Sequence, residues 1–251
     1  MISYKDIHMS HEGKMGFLIC SGPSLRHVDT SILEEYVTLT INSSIAGMKN
    51  CDYFLSDDVG VKNWSYYLNE AKESDCIKLL YKKKLKDHSS HFNSDQVLLF
   101  DHTWYFDPTS KRYNLDGLIM KQDYDSPIIG ARTSSASGLH MLYKMGCDPI
   151  VMLGMDCHYD EGKRYFWQFW DKNKPFRVTR EPVFSRANAG KYKGKAIDSH
   201  CRDMLHYWRL FEKKNKQLNS SIFNCSMSSI VEEFEKKELD QVLSEYGNRK
   251  K

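Results

Sequence analysis

The chain has 251 residues, of which 41% are hydrophobic, and its 36 basic and 33 acidic residues give a net charge of +3. This length and hydrophobic content exclude a largely disordered chain and suit one domain, with or without an inserted subdomain. The balanced charge gives no support for nucleic-acid binding. The seven cysteines lack CxxC spacing, which favours reduced thiols over a disulfide framework or a zinc site.

The amino end is polar, and no apolar run reaches membrane-spanning length. These features predict a soluble, cytoplasmic protein. The basic runs at 82–86 and 249–251 are typical of solvated surface, but they also suit acidic lipids. Peripheral association with the inner membrane and formation of homo-oligomers therefore stay open.

The first strand, at 15–20, ends in a turn of small residues, Cys20-Ser21-Gly22-Pro23-Ser24. Glycine allows close approach of a ligand to the backbone, and proline suits the first position of a helix. Helical spacing of apolar residues predicts that this helix runs over 24–36. Because free N–H groups at a helix start bind phosphate, the turn is a candidate phosphate site, although a purely structural turn has the same pattern.

Two further strands follow, at 36–42 and 52–56, and they end at Asn42 and Asp57. A short helical piece at 45–49 lies between them. Three apolar strands thus end in small or polar residues within sixty positions. This is typical of a parallel sheet that binds its ligand at the carboxyl ends of the strands.

The second half continues the alternation of helix and strand, and the sequence predicts an α/β, Rossmann-like, three-layer fold with a mostly parallel sheet flanked by helices. Thr133 to Ser135 cap a helix that Gly146 closes, before the apolar strand 149–155. Residues 82–95 are predicted as loop, and 101–130 carry no clear periodicity. The other predicted elements are helix 64–73, strand 76–81, strand 96–100, helix 198–214, strand 222–225 and helix 229–245.

Residues 157–195 are rich in aromatic side chains and have neither strand nor helix periodicity. A long irregular segment inside a compact domain is typical of a lid or binding loop, the alternative being a small satellite core packed on the sheet. We therefore expect a nucleotide-binding domain at 1–156, a lid at 157–195 and a closing section at 196–251.

Several familiar site motifs are absent from the sequence: GxxxxGK[ST], GxGxxG, GxSxG and HExxH. The glycine–lysine run at 190–195 has the wrong spacing for a nucleotide loop. Asp123-Tyr124-Asp125 imitates the DxD motif of metal-dependent glycosyltransferases, but no apolar strand precedes it. The remaining candidate site residues are the small residues at the strand ends, together with Tyr159 and Tyr165.

Three stretches carry a resemblance: the turn at 22–25, the strand end at Asn42 and the stretch 133–165. In the last, Thr133-Ser134-Ser135 precede a helix, Leu153-Gly154-Met155-Asp156 follow, and Tyr159 to Tyr165 has the pattern Tyr-x-x-Gly-x-x-Tyr. The chain resembles the bacterial sialyltransferases of glycosyltransferase family 42. It is similar, more loosely, to a wider Rossmann-like group that includes archaeal 6-hydroxymethylpterin diphosphokinase-like proteins.

The resemblance implies a transferase that takes a sugar from a CMP-linked donor and passes it to a glycan acceptor with inversion, without a metal or other cofactor. It implies that Tyr159 and Tyr165 donate hydrogen bonds to the departing phosphate. Donors fixed where charge develops stabilise the transition state more than the ground state. The nucleotide-binding residues implied in the same way are Cys20, Ser21, Gly22, Pro23, Ser24, Asn42, Asp57, Thr133, Ser134, Ser135 and Asp156.

The sequence departs from the family pattern in several places, and its tyrosine pair begins one residue later after Asp156, with His158 in the gap. Ser21 and Asp57 stand where the family has asparagines, and a carboxylate near phosphate requires an offsetting cation or base amine. Lys191 stands where the family has its general-base histidine, and a lysine acts as a base at neutral pH only when it is desolvated. His158 and His200 are the candidate substitutes.

These departures leave two rival hypotheses open. Asp57-Asp58, Asp156 and Asp160 are candidate magnesium ligands for diphosphoryl transfer from ATP, although acids at strand ends also cap helices. The missing histidine also suits a nucleotide-binding protein that has lost catalysis.

Overall fold

The computed structural model describes residues 2–48, 50–57, 65–104, 106–107, 112–113, 115–130, 133–170 and 190–251. The α-helices in these ranges are α1 (Tyr4–Ile7), α2 (Ser65–Glu73), α3 (Lys82–Leu85), α4 (Ser134–Lys144), α5 (Ser199–Lys214) and α6 (Leu239–Tyr246). The strands are β1 (Gly16–Ile19), β2 (Val37–Ile41), β3 (Tyr53–Ser56), β4 (Ile77–Tyr81), β5 (Val97–Phe100), β6 (His102–Trp104), β7 (Phe106–Asp107), β8 (Arg112–Tyr113), β9 (Ile128–Gly130), β10 (Ile150–Leu153), β11 (Lys191–Tyr192), β12 (Lys195–Ala196), β13 (Ile222–Asn224) and β14 (Glu235–Lys236).

Eight of these strands form one sheet in the order β14-β13-β10-β1-β2-β3-β4-β5, and every pairing in it is parallel. The chain fills one side of the sheet as far as β5 and then returns to the other side through β10. The strand order therefore reverses between β1 and β10, where ligands of such sheets bind beyond the carboxyl ends of the strands. The predicted Rossmann-like α/β fold is confirmed.

Apolar residues cover both faces of the sheet, as expected for parallel strands enclosed by helices. On one face, Leu18 and Leu39 pack with Leu139 of α4 and Trp208 of α5. Helix α4 lies very close to the strands there, because a Cβ atom at Gly138 would be only 2.6 Å from Leu18 Cδ1. On the other face, the core cluster includes Phe17, Ile19, Phe54, Val151 and Phe166.

The helix predicted over 24–36 is wrong. Two 3₁₀ helices, Pro23–His27 and Thr30–Leu33, replace it. Asp29 interrupts the helix because its side chain accepts the Ser31 N–H at 3.1 Å and caps the second piece. The piece predicted at 45–49 is also a 3₁₀ helix, which begins earlier and spans Asn42–Gly47.

The helix predicted over 229–245 is too long, since Glu235–Lys236 forms the edge strand β14 and α6 begins at Leu239. The basic end beyond it is tied to the domain. Arg249 pairs with Asp148 at 2.8 Å, and Lys251 pairs with Asp52 at 2.7 Å.

Regions predicted without elements also contain short ones. Residues 82–95 hold α3 and the 3₁₀ turns Lys86–His91 and Ser94–Gln96, and β6 pairs with β9 within 101–130. None of the helices in the described part of the chain is long and apolar enough to span a membrane.

Candidate functional site

The turn after β1, residues 20–24, interlocks with the end of β10. The Gly22 N–H donates to the Gly154 carbonyl at 2.8 Å. A Cβ atom at Gly22 would lie 2.2 Å from Asp156 Oδ2, and one at Gly154 would lie 2.3 Å from the Cys20 carbonyl oxygen. Gly154 also has φ +67°, a conformation that other residues rarely adopt. The turn after β1 and the end of β10 can therefore pack this closely only with glycine at positions 22 and 154.

The buried carboxylate of Asp156 stabilises this turn through hydrogen bonds. Its side chain is 1% exposed, and Oδ2 accepts the Ser24 N–H at 2.9 Å and the Ser24 hydroxyl at 2.8 Å. Oδ1 accepts the Ser228 hydroxyl at 2.9 Å. The Leu25 N–H donates to the Gly22 carbonyl at 3.2 Å. The N–H groups of Gly22, Ser24 and Leu25 thus have acceptors within the protein, unlike the free helix start that the sequence suggested.

Side-chain hydroxyls and one amide line the neighbouring strand ends instead. The Ser43 hydroxyl donates to the Ser21 hydroxyl oxygen at 2.9 Å. Asn42, held at φ +50°, donates its amide to the Ser134 hydroxyl at 3.2 Å and accepts from the Ser56 hydroxyl at 3.0 Å. The ends of β1, β2 and β3 therefore present a continuous polar surface.

The start of α4 completes this surface. Ser134 donates to Asp57, whose other carboxylate oxygen accepts the Ser137 hydroxyl at 3.1 Å. Thr133 caps the helix, and its hydroxyl lies 2.6 Å from the Ser135 hydroxyl. The structure thus brings the predicted residues Asn42, Asp57 and Ser134 into one hydrogen-bonded group.

The described part of the aromatic segment packs directly on the first turn. The Phe166 N–H donates to the Ser21 carbonyl at 3.1 Å, which places Tyr165 beside the turn. The Tyr165 ring stacks on Trp167, with 5.4 Å between centroids. Arg26 pairs with Asp160 at 2.8 Å and lies 3.7 Å from the centre of the Phe169 ring. Phe176 and Phe184 of the predicted lid lie outside the described residues.

Tyr159 lies deeper and donates its hydroxyl to Asp198 Oδ2 at 3.0 Å. Arg164 Nη1 is 3.2 Å from the same oxygen, and Asp198 Oδ1 accepts the Cys201 N–H at 2.7 Å. Burial raises the pKa of Tyr159 to about 12 despite the opposing charge of Arg164, so the phenol stays protonated. Burial favours a raised pKa for Asp198 too, but the bonds from Cys201 and the charge of Arg164 outweigh it and hold that pKa below its usual range.

The three candidate bases lie in different surroundings. His158 is 2% exposed, with its ring nitrogens 3.0 Å from the Tyr159 carbonyl and 2.9 Å from the Ser228 carbonyl, which favours a structural role. Lys191 is exposed on β11, opposite Ala196 of β12. His200 is half-buried on the first turn of α5, two residues after Asp198.

The acidic residues of the magnesium hypothesis have separate roles where they are described. Asp156 accepts three hydrogen bonds and Asp160 pairs with Arg26, while Asp58 lies outside the described residues. Within the described ranges, no three His, Cys, Asp or Glu side chains are grouped as a metal site. Asp123 lies beside Lys144, at the end of α4 opposite Ser134.

Sequence reasoning missed several polar residues that hold this site. Asp198 carried a readable signal, as an acidic residue directly before a predicted helix. The others have partners far away in the chain, so local patterns could not identify them. The missed residues are Arg26, Ser43, Ser56, Arg164, Asp198 and Ser228.

No protein-family profile and no curated protein matches this sequence. Among solved structures, the MAf glycosyltransferase from Magnetospirillum magneticum AMB-1 is similar at a TM-score of 0.56 and 14% identity, over 96% of this chain and 38% of that one. The sialyltransferase CstII from Campylobacter jejuni, in complex with CMP-3FNeuAc, is similar at a TM-score of 0.49 and 16% identity, over 89% of this chain and 86% of that one. At such identities the likeness concerns the fold, a Rossmann-like α/β domain of a kind that also occurs in a glycosyltransferase.

Proposed function

We propose that this chain is a glycosyltransferase that moves a sugar from a CMP-activated donor to a glycan hydroxyl, with inversion and without a metal. The observation that carries the proposal is the hydrogen bond from the Phe166 N–H to the Ser21 carbonyl. It brings residues 157–170 of the aromatic segment onto the reversal point of the sheet, the usual ligand position in this kind of fold. The segment 157–195 then acts as a lid over the donor.

Asp57 supports a cytosine base over uracil. Its carboxylate is 8% exposed and is held by Ser134 and Ser137 beside Asn42. A carboxylate accepts hydrogen bonds and cannot donate them, so it pairs with the exocyclic amine of cytosine and repels the carbonyl oxygen of uracil at that position. The departure from asparagine at Asp57 thus becomes compatible with a CMP-linked donor.

The leaving phosphate is assigned to Tyr165, assisted by the Arg164 side chain. The Arg164 guanidinium lies 5.5 Å from the centre of the Tyr165 ring and is 25% exposed. A cation and a phenol near the departing phosphate stabilise the negative charge that develops there. Tyr159 acts through Asp198, which orients Arg164. His200 is proposed as the base, since it follows Asp198 on α5, with Lys191 as the alternative.

The primary test is calorimetric titration of the full chain with CMP, CDP, UDP, GDP and ATP, each with and without magnesium. We expect CMP to bind without magnesium and UDP to bind more weakly. Preference for ATP with magnesium, together with indifference to CMP, would overturn the proposal in favour of a diphosphokinase.

The second test is Tyr165→Phe in an assay of donor hydrolysis without acceptor. Loss of a transition-state hydrogen bond should lower kcat by roughly ten- to a thousand-fold with little change in KM. Tyr124→Phe is the matched control, because Tyr124 is 43% exposed and lies outside the site. Unchanged turnover in Tyr165→Phe contradicts the assignment of Tyr165. Absence of hydrolysis in the wild type, with CMP still bound, indicates a nucleotide-binding protein that has lost catalysis.

A further inference from the structure

A cavity of about 1110 Å³ lies beside the amino ends of β3 and β4 and extends along the sheet to Ile45 and to Trp170 of the aromatic segment. Its lining includes Cys51, Cys76, Tyr53 and Glu73. The proposed glycosyl transfer gives no role to the two thiols.

Cys76 comes directly before β4, and Cys51 lies two residues before the neighbouring strand β3. Tyr53 and Ile77 are register partners, and the Ile77 N–H donates to the Asp52 carbonyl at 2.9 Å. Both cysteines belong to the same core cluster and line the same cavity, both are less than 10% exposed, and both are unpaired. Counted back from the register of Tyr53 and Ile77, Cys51 lies opposite Asp75 and Cys76 lies opposite Asp52, so the two cysteines are diagonal neighbours offset by one residue. With strands about 4.8 Å apart and a rise of about 3.3 Å per residue, this offset corresponds to a Cα separation of roughly 6 Å, which a disulfide can span.

The two thiols differ sharply in acidity. The interaction with the Cys51 thiol is the main cause that lowers the pKa of Cys76 to about 7, with further help from Ser74 and the charge of Lys78, against the effect of burial. The same interaction raises the pKa of Cys51. Burial raises the pKa of the remaining cysteines, which are Cys20, Cys147, Cys157, Cys201 and Cys225. At neutral pH a substantial fraction of Cys76 is therefore thiolate, while Cys51 remains protonated.

We propose that Cys51 and Cys76 form a dithiol site that hydrogen peroxide, entering the cavity, oxidises to a disulfide. The Cys76 thiolate attacks one peroxide oxygen, the O–O bond breaks, and the departing hydroxide takes a proton to become water. Cys51 then attacks the sulfur of the resulting sulfenic acid, so that the S–S bond forms, the S–O bond breaks and a second water leaves with the Cys51 proton. Two thiols are oxidised, and one peroxide is reduced by two electrons.

The direct test uses the unmodified full chain. It is treated with hydrogen peroxide at pH 7, its remaining thiols are alkylated, and it is digested for mass spectrometry. We expect the Cys51 and Cys76 peptides to be crosslinked before any other thiol is oxidised. A different first disulfide, or uniform oxidation of all seven cysteines, would overturn the proposal.

A competition experiment tests the order of attack. With iodoacetamide at pH 7, Cys76 should react at least about tenfold faster than Cys225, because the larger thiolate fraction outweighs the lower intrinsic nucleophilicity. Equal rates would count against Cys76 as the attacking thiol, and both rates are read from the same wild-type sample.

Two variants separate the roles. In Cys51→Ser, peroxide should leave Cys76 as a sulfenic acid that dimedone traps, since the second thiol is missing. In Cys76→Ser, Cys51 should stay reduced at the same peroxide dose. Cys225→Ser is the matched control and should retain the Cys51–Cys76 crosslink. Dimedone labelling of Cys51 in Cys76→Ser, at the wild-type rate of oxidation, would contradict the assigned roles.

Discussion

The two edges of the central sheet differ in how their polar groups are used. At the carboxyl edge, the carboxylates of Asp57 and Asp156 each accept hydrogen bonds from at least two donors within the protein. At the amino edge, Asp52 accepts the Thr38 N–H and the Thr38 hydroxyl, each at 2.9 Å, and pairs with Lys251, while the thiol pair and Glu73 line a cavity. Both edges thus hold fixed carboxylates, but the amino edge also places two thiols beside open space.

The difference follows from the connections between strands. At the carboxyl edge, short turns of glycine and serine bring backbone from β1 and β10 into direct contact, as at Gly22 and Gly154. Groups fixed in this way need little rearrangement on binding, which suits stabilisation of developing charge. At the amino edge, the two thiols precede neighbouring strands and line a cavity. The two proposals thus assign different chemistry to the two edges of one sheet.

The largest expected effect on stability comes from disrupting the close packing of Gly22 and Gly154 at the carboxyl edge. Gly154→Ala should lower the free energy of unfolding by about 2–4 kcal/mol, since strain at positive φ adds to the clash with the Cys20 carbonyl. Gly162→Ala is the matched control, because Gly162 has φ +72° with nothing within 4 Å of the added Cβ, and it should cost about 1 kcal/mol. Urea unfolding of both variants measures the difference, and equal losses would show that this close packing adds nothing.

A second comparison sets one carboxylate from each edge side by side. Asp156→Asn turns an amide N–H₂ toward donors from Ser24 or Ser228 and should lower the free energy of unfolding by about 2 kcal/mol. Asp75→Asn, at an exposed position on the rim of the cavity, should change it by less than about 0.5 kcal/mol. The midpoints of urea unfolding measure the stability change in each variant. Similar changes would contradict the expectation that Asp156 stabilises the protein more than Asp75 does.

A smaller effect concerns His140, on the helix α4 that runs between the two edges. Its Nδ1 accepts the Ile129 N–H at 3.0 Å, and Nε2 lies 2.9 Å from the Lys121 carbonyl, which fits a neutral ring. Burial, with the charge of Lys144, lowers the pKa of His140 to about 3, although the bond to Lys121 opposes the shift. Because the folded pKa lies below the unfolded one, the stability from neutral His140 is complete above about pH 6.5 and is lost as the pH falls toward 3.

The free energy of unfolding should therefore fall by up to about 1.4 kcal/mol per pH unit between pH 6 and pH 4, and less steeply in His140→Gln. Asp198 does not obscure this window. Its folded pKa is lowered, so its contribution is present above the unfolded carboxyl pKa, near 4, and is lost only as the pH falls further. Identical slopes in wild type and His140→Gln, from urea unfolding at several pH values, would contradict a neutral buried His140.

Local patterns in the sequence were sufficient for the strands and for a mostly parallel sheet, whereas the strand order and its reversal between β1 and β10 required the structure. Apolar runs ending in Ser21, Asn42 and Asp57 gave the strands and the edge at which they end, because period and composition are local properties. The replacement of a long helix by two 3₁₀ helices could not be foreseen from apolar spacing, since a single cap at Asp29 decides it. The partnership of Tyr159 with Asp198, like that of Cys51 with Cys76, depends on contacts between distant parts of the chain and required the fold.

The close seating of α4 at Gly138 has a consequence for substrate scope. Because only a hydrogen atom separates the helix backbone from Leu18 and Ile41 at that point, the height of α4 above the sheet is fixed far from the ligand. That height carries Ser134 to within 3.2 Å of the Asn42 amide. For the proposed CMP-linked donor, the room for the nucleoside would therefore be set at this core position, and a design that aims to admit bulkier donors would start there.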